Sequence, residues 1–142
     1  MILLPVGLLA AIAVWCVRRR YLLVTVQGAS MSPALTGGER VLVRRSGPES
    51  LRRGDIVVVR WDTEEHKTRV PVSMQLIKRV VAIEGDPLPE LIAAAAGLPA
   101  DAPTPAGLFA VLADNLENSM DSRACGLFGA GNLIGVMARQ PS

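Results

Sequence analysis

The spacing of apolar and polar positions changes character at residue 18. Residues 1–17, MILLPVGLLAAIAVWCV, hold no charged side chain, and Arg18, Arg19 and Arg20 follow at once. An apolar run of about 17 residues is at the short end of what crosses a bilayer. It lacks the basic start and the small-residue cleavage site of a removable secretory signal. Residues 1–20 therefore read as an uncleaved transmembrane anchor with a basic flank. From Tyr21 onward the apolar positions fall in short, β-branched runs broken by Gly, Pro and Asp, which is the pattern of strands. Six are predicted: 21–26, 40–45, 55–61, 73–86, 107–114 and 133–139. With no long amphipathic helix beside them, residues 21–142 are expected to form one mostly β domain. The stretch LPELIAAAAGLPADAPTPAG departs from this pattern. Its PELIAAAAG predicts a short helix stopped by Gly97, with the Pro-rich remainder running as a loop, so 88–106 reads as an insert.

Charge changes the picture locally. The formal net charge is +2 over 142 residues, but without Arg18–Arg20 the rest carries 12 basic and 13 acidic side chains. A nucleic-acid-binding face is not expected from that balance, and the arginine triplet reads as a contact for anionic lipid headgroups. The two cysteines, Cys16 and Cys125, lie in the apolar run and near the other end of the chain, a placement that argues against an internal disulfide. With a single histidine, no Cys/His grouping has metal-ligand spacing, so neither a metal nor a small-molecule cofactor is expected.

Three groups of residues could carry chemistry. Ser30 stands between Ala29 and Met31, with Gly28 before it and Pro33 after it. Such neighbours make either an ordinary turn or a bend that presents a nucleophile. A serine hydroxyl needs a base. The one histidine, His66, sits in the charged stretch WDTEEHKTR with nothing apolar to position it, and GASMS lacks the second glycine of a G-x-S-x-G elbow. Lysine is the other candidate base. Of 15 basic residues 13 are arginine, which leaves Lys67 beside His66, and Lys78. Strand alternation puts Met74, Leu76, Val80 and Ala82 on the same face as Lys78, and Arg79 on the opposite one. An amine there loses hydration and becomes easier to deprotonate, unless it lies at a sheet edge and reaches water. The third group, ADNLENSMDSRACG at 113–126, is either a long polar turn or a shell that orients a base.

These groups resemble the sequence boxes of one family. GASMSPAL, RRGDIVVVR, KRVVAIEGD and ADNLENSMDSR occur in the order and form found in type I signal peptidases, membrane-bound serine proteases that use a Ser-Lys dyad. The resemblance implies a signal-peptidase-like catalytic β domain, with Ser30 as nucleophile and Lys78 as general base. It also implies that Ser119 hydrogen-bonds the lysine amine, that Asp121 and Arg123 form a supporting ion pair, and that Asp114 braces the same loop. The oxyanion would be held by the Ser30 N–H and a second donor near Gly28, where some members carry a serine. Substrates would be precursor polypeptides with small residues at the first and third positions before the cut.

Glu84 replaces a common proline in the lysine box, and Ala113 replaces a common glycine in the last box. Between Asp86 and Gly107 there is no room for the second β domain of large members. The chain is thus similar to compact members dedicated to one precursor, such as a nickel superoxide dismutase or a ribosomally made peptide. A catalytically silent, membrane-anchored binding module of the same fold is the alternative. The family places its catalytic domain on the extracytoplasmic face, the expectation adopted here. Arginines directly after the apolar run pull toward the opposite orientation.

Overall fold

A computed structural model describes residues 3–64, 71–117 and 119–138. Helix α1 (Leu3–Arg20) runs directly into strand β1 (Tyr21–Thr25). Strands β2 (Arg40–Arg44), β3 (Ile56–Glu64) and β4 (Pro71–Ala82) follow, then helix α2 (Glu90–Ala95), strand β5 (Ala110–Leu112), helix α3 (Ser122–Cys125) and strand β6 (Leu133–Met137). The strands form one sheet in the order β1-β2-β6-β3-β4-β5, with every pairing antiparallel. The last strand in sequence thus lies in the middle of the sheet. The expected β architecture is present, and His66 and Lys67 lie outside the described residues.

Continuous apolar runs in β3 and β4 fill two cores, one on each face of the sheet. Val57, Val59, Leu76, Val80, Val111 and Val136 pack with Phe109 and Phe128 on one side. Ile56, Val58, Val41 and Val43 pack with Val26, Met31 and Leu35 on the other. A strand buried on both faces needs apolar residues at every position rather than at alternate ones, which accounts for the DIVVVRW run.

The 88–106 insert is more ordered than the expected loop. Leu88, Ile92 and Ala93 form a third small core with Ala82 and Ala110. Gly97, at φ +71°, ends α2, with Gly97 N–H bonded to Ala94 O and Leu98 N–H to Ala93 O. That pair of bonds is the Schellman pattern, which a glycine at the left-handed position allows. The Pro-rich return then pairs with the chain before the helix: Gly85 N–H bonds Thr104 O at 2.9 Å, and Thr104 N–H bonds Asp86 O at 2.7 Å.

The transmembrane anchor expected from the sequence is not found. Among the described residues no helix is long and apolar enough to cross a membrane. Helix α1 has 18 residues, but its last three are Arg18–Arg20. The apolar part, residues 3–17, extends about 22 Å at 1.5 Å per residue, short of a hydrocarbon layer about 30 Å thick. From Pro5 onward its side chains are exposed, Leu8, Leu9, Trp15 and Val17 among them, and the Arg19 guanidinium stacks over the Trp15 ring at 4.3 Å.

Candidate active site

The serine bend follows β1 and is shaped by what it buries. Met31 and Leu35 enter the core at 1% and 4% exposure, joined by a helical-turn bond from Leu35 N–H to Met31 O. Ser30, one residue earlier, is left half-buried at the rim. The chain reaches this bend through Gly28 at φ +74°. A side chain there would have room, but an L-residue rarely adopts that backbone conformation. Gly28 therefore serves the bend through its backbone.

Lys78 comes from the other wall. On β4 it alternates with Leu76 and Val80, both in the first core, and it is itself only 3% exposed. Met74, on the same parity, is exposed, and Ala82 belongs to the small third core past the irregular β4–β5 register. The Lys78 amine donates to Ser30 Oγ at 3.0 Å across 48 residues of sequence. Burial pushes the amine below its ordinary value, against the opposing influence of Asp121 and Cys125, whose charged forms favour the ammonium. Desolvation of this kind favours the neutral amine, which can accept a proton. At the same separation the hydroxyl can then donate to the nitrogen lone pair.

Arg79 projects to the opposite side. It holds Asp114 in a two-point bridge, Nε to Oδ1 and Nη2 to Oδ2, both 2.8 Å, and donates through Nη1 to Gly54 O. Its guanidinium is raised above the ordinary value chiefly by the hydrogen bond to Asp114. Strand alternation places Arg79 on that face, but its partner Asp114 comes from the fold. Nothing in the local pattern relates two residues 35 apart.

The 113–126 loop brings its polar residues inward. Asp121 is fully buried and accepts from Ala113 N–H and from Arg123 N–H, Nε and Nη2 at 2.9–3.0 Å. Burial alone would raise its carboxyl, but the Arg123 and backbone donors hold it below the ordinary value. Ser122, also fully buried, accepts from Val111 N–H at 2.8 Å. Ser119 departs from the expectation: its hydroxyl donates to Asn115 O at 2.6 Å rather than to the lysine amine. Asn115 lies four residues back along the chain, which puts that carbonyl within reach, and a hydroxyl takes the nearest local acceptor. Asn115, given no individual role in the sequence reading, bonds the serine bend through its backbone N–H to Ser30 O and through Nδ2 to Ala29 O. Cys125 lies close enough to influence Lys78, and its own thiol is pushed up by burial.

Between the two walls runs a groove of about 260 Å³, lined by Val24–Gln27 and Ser30 on one side and Gln75–Lys78 on the other. It opens along two strand edges. Among the described residues β1 pairs only with β2, and β4 pairs with β5 only from Arg79 onward.

The family model described as signal peptidase, peptidase S26, matches residues 1–89, which include both Ser30 and Lys78. The chain belongs to that family. Its members act as serine peptidases on precursor polypeptides. The match ends before the 113–126 loop, so the geometry of that loop is what ties it to the site. No curated protein matches the chain.

Proposed function

We propose that this protein is a serine endopeptidase that removes signal or leader peptides from precursor polypeptides, with Ser30 as nucleophile and Lys78 as general base. The observation that carries this reading is a lysine amine, 3% exposed, placed 3.0 Å from the hydroxyl of a serine at the rim of an open groove.

An extended substrate lies in the groove and adds its backbone to the free edges of β1 and β4. Neutral Lys78 takes the proton of Ser30 as Oγ attacks the scissile carbonyl carbon. The carbonyl oxygen becomes an oxyanion, held by the Ser30 N–H and a second donor near Gly28. Collapse breaks the C–N bond, and the lysine returns the proton to the leaving amine. Water then adds to the acyl-serine, giving up a proton to Lys78, and the second collapse releases the leader segment as its carboxylic acid while Lys78 returns that proton to the Ser30 oxygen. The Asp114–Arg79 pair holds the loop against the dyad strand, the Asp121–Arg123 pair shapes the loop itself, and neither touches the reacting atoms. The small volume of the groove favours small side chains before the cut, and the short 88–106 insert in place of a second β domain fits dedication to one or a few precursors. The exposed apolar surface of α1 and the adjoining arginines support contact with a lipid surface, while kinship with the signal peptidases, against the pull of those arginines, supports a catalytic domain on the extracytoplasmic side.

The test compares the precursor and mature peptide pools of the host carrying the natural protein with those of a host carrying Ser30→Ala. One or more precursors should accumulate uncleaved in the variant. Identical pools, together with no cleavage of Ala-Xaa-Ala peptides by the purified protein, would overturn the assignment. A Ser30→Ala protein that still captures a precursor while the natural protein fails to cut it would favour a binding module instead.

A further inference from the structure

We propose that Asn115 is a positioning residue that sets the orientation of the oxyanion-binding Ser30 N–H. This inference rests on Ser30 being the nucleophile, as proposed above. The Ala29–Ser30 peptide is trans, so its carbonyl and its N–H point in opposite directions. Fixing one fixes the other. The Ala29 carbonyl is held from one side, accepting from Asn115 Nδ2 at 3.2 Å and from Ser32 N–H at 3.1 Å. The next carbonyl, that of Ser30, accepts from Asn115 N–H at 2.8 Å. Among the described residues no protein group accepts the Ser30 N–H, which leaves it available to a substrate oxygen.

Asn115 is itself immobilised. Its Oδ1 accepts from Glu117 N–H at 3.3 Å, and its carbonyl accepts from the Ser119 hydroxyl. This gives Ser119 a role other than bonding the lysine: it stiffens the residue that holds the bend. The contacts also close into a ring. Lys78 is bonded through the chain to Arg79, Arg79 grips Asp114, and Asp114 adjoins Asn115. Asn115 holds Ser30, and Ser30 meets the Lys78 amine. The dyad distance is thereby fixed from behind, by residues that never meet the substrate.

The experiment compares the natural protein with Asn115→Ala and Asn115→Ser on a fluorogenic peptide carrying Ala-Xaa-Ala before the cut. A peptide boronate of the same sequence and an uncleavable N-methyl peptide serve as binding probes. Serine keeps an oxygen for the Glu117 N–H but is too short to reach the Ala29 carbonyl, so it separates the turn from the clamp. Both variants should lose about 10–100-fold in kcat, less than the ~100–1,000-fold of a deleted oxyanion donor, because the N–H is misaimed rather than absent. KM should stay within about threefold. Boronate affinity should fall with kcat, N-methyl peptide affinity should hold, and the pH midpoint and thermal unfolding midpoint should not move. Undiminished kcat in a protein whose natural form cleaves the peptide would overturn this inference alone. So would a loss confined to KM, a shifted pH midpoint, or recovery in Asn115→Ser. A natural protein that neither cleaves the peptide nor takes up the boronate would overturn the nucleophile assignment and this inference with it.

Discussion

The β4 wall of the groove and the 113–126 loop, a second wall behind the dyad, hold buried polar groups in opposite ways. On the strand wall, Lys78 is surrounded by side chains such as Leu76 and Val80, and among the described residues its one hydrogen-bond partner is Ser30. On the loop wall, Asp121 is buried at least as deeply but is met by four donors. A charged group taken from water and given few partners becomes easier to neutralise, whereas one given many donors stays charged and locks its surroundings. Reactivity therefore belongs to the poorly satisfied wall and rigidity to the fully satisfied one.

The largest effects should come from the strand wall. Lys78→Arg keeps the charge but removes any group able to give up a proton. Peptide cleavage should fall about 10³-fold or more, as should that of Ser30→Ala, measured as kcat/KM on an Ala-Xaa-Ala substrate. In the natural protein kcat/KM should rise with pH as the neutral amine is populated, with a midpoint below the ordinary lysine value of 10.5. A midpoint at or above that value would break the contrast between the walls.

Asp121→Ala attacks the loop wall and should cost about 3 kcal/mol of stability by leaving the Ala113 N–H and the Arg123 guanidinium without their partner, measured by urea unfolding. The folded carboxyl lies below its ordinary 3.8. Its contribution is thus fully present above that value and is lost as pH falls through the folded one. Acid should weaken the natural protein in that window and leave the variant less affected.

Lys78→Met sharpens the comparison from the other side. The folded amine is lowered, so burying it costs stability at neutral pH, and this cost fades as pH rises toward 10.5. The inactive variant should therefore gain about 1 kcal/mol at pH 7, and the gain should shrink in alkali. The smallest effect belongs to Arg79→Lys, which replaces a two-point grip with a single charge at a partly exposed bridge. A loss of about 0.5–1 kcal/mol is expected, and a double-mutant cycle with Asp114→Asn should show that it comes from this pair.

Legibility in the sequence followed the range of the forces involved. Ser30 stood out because Gly28 and Pro33 mark a bend locally, and Lys78 because strand alternation exposes an amine among apolar neighbours. Gly97 announced the end of α2 for the same local reason. The boundaries of β5 were less legible: 107–114 looked like one strand, yet only Ala110–Leu112 pairs with β4, because pairing depends on a partner distant in sequence. The Asn115 carbonyl took the Ser119 hydroxyl, a choice between nearby acceptors that composition does not settle. The apolar run of residues 1–17 signalled a membrane-spanning anchor, but the arginines fall inside α1 rather than after it, and among the described residues the apolar part of that helix is too short to span.

The order of residues alone determined that this chain makes a β domain, that one serine sits on a bend and that one lysine sits in an apolar strand face. These depend on backbone preference and period-two alternation, which act over a few residues. Only the tertiary structure decided that the two side chains meet, that Arg79 closes on Asp114, and that Asn115 grips the serine bend. Those contacts join segments 35 to 86 residues apart, and no local preference encodes which distant partners a folded sheet brings within a few ångströms.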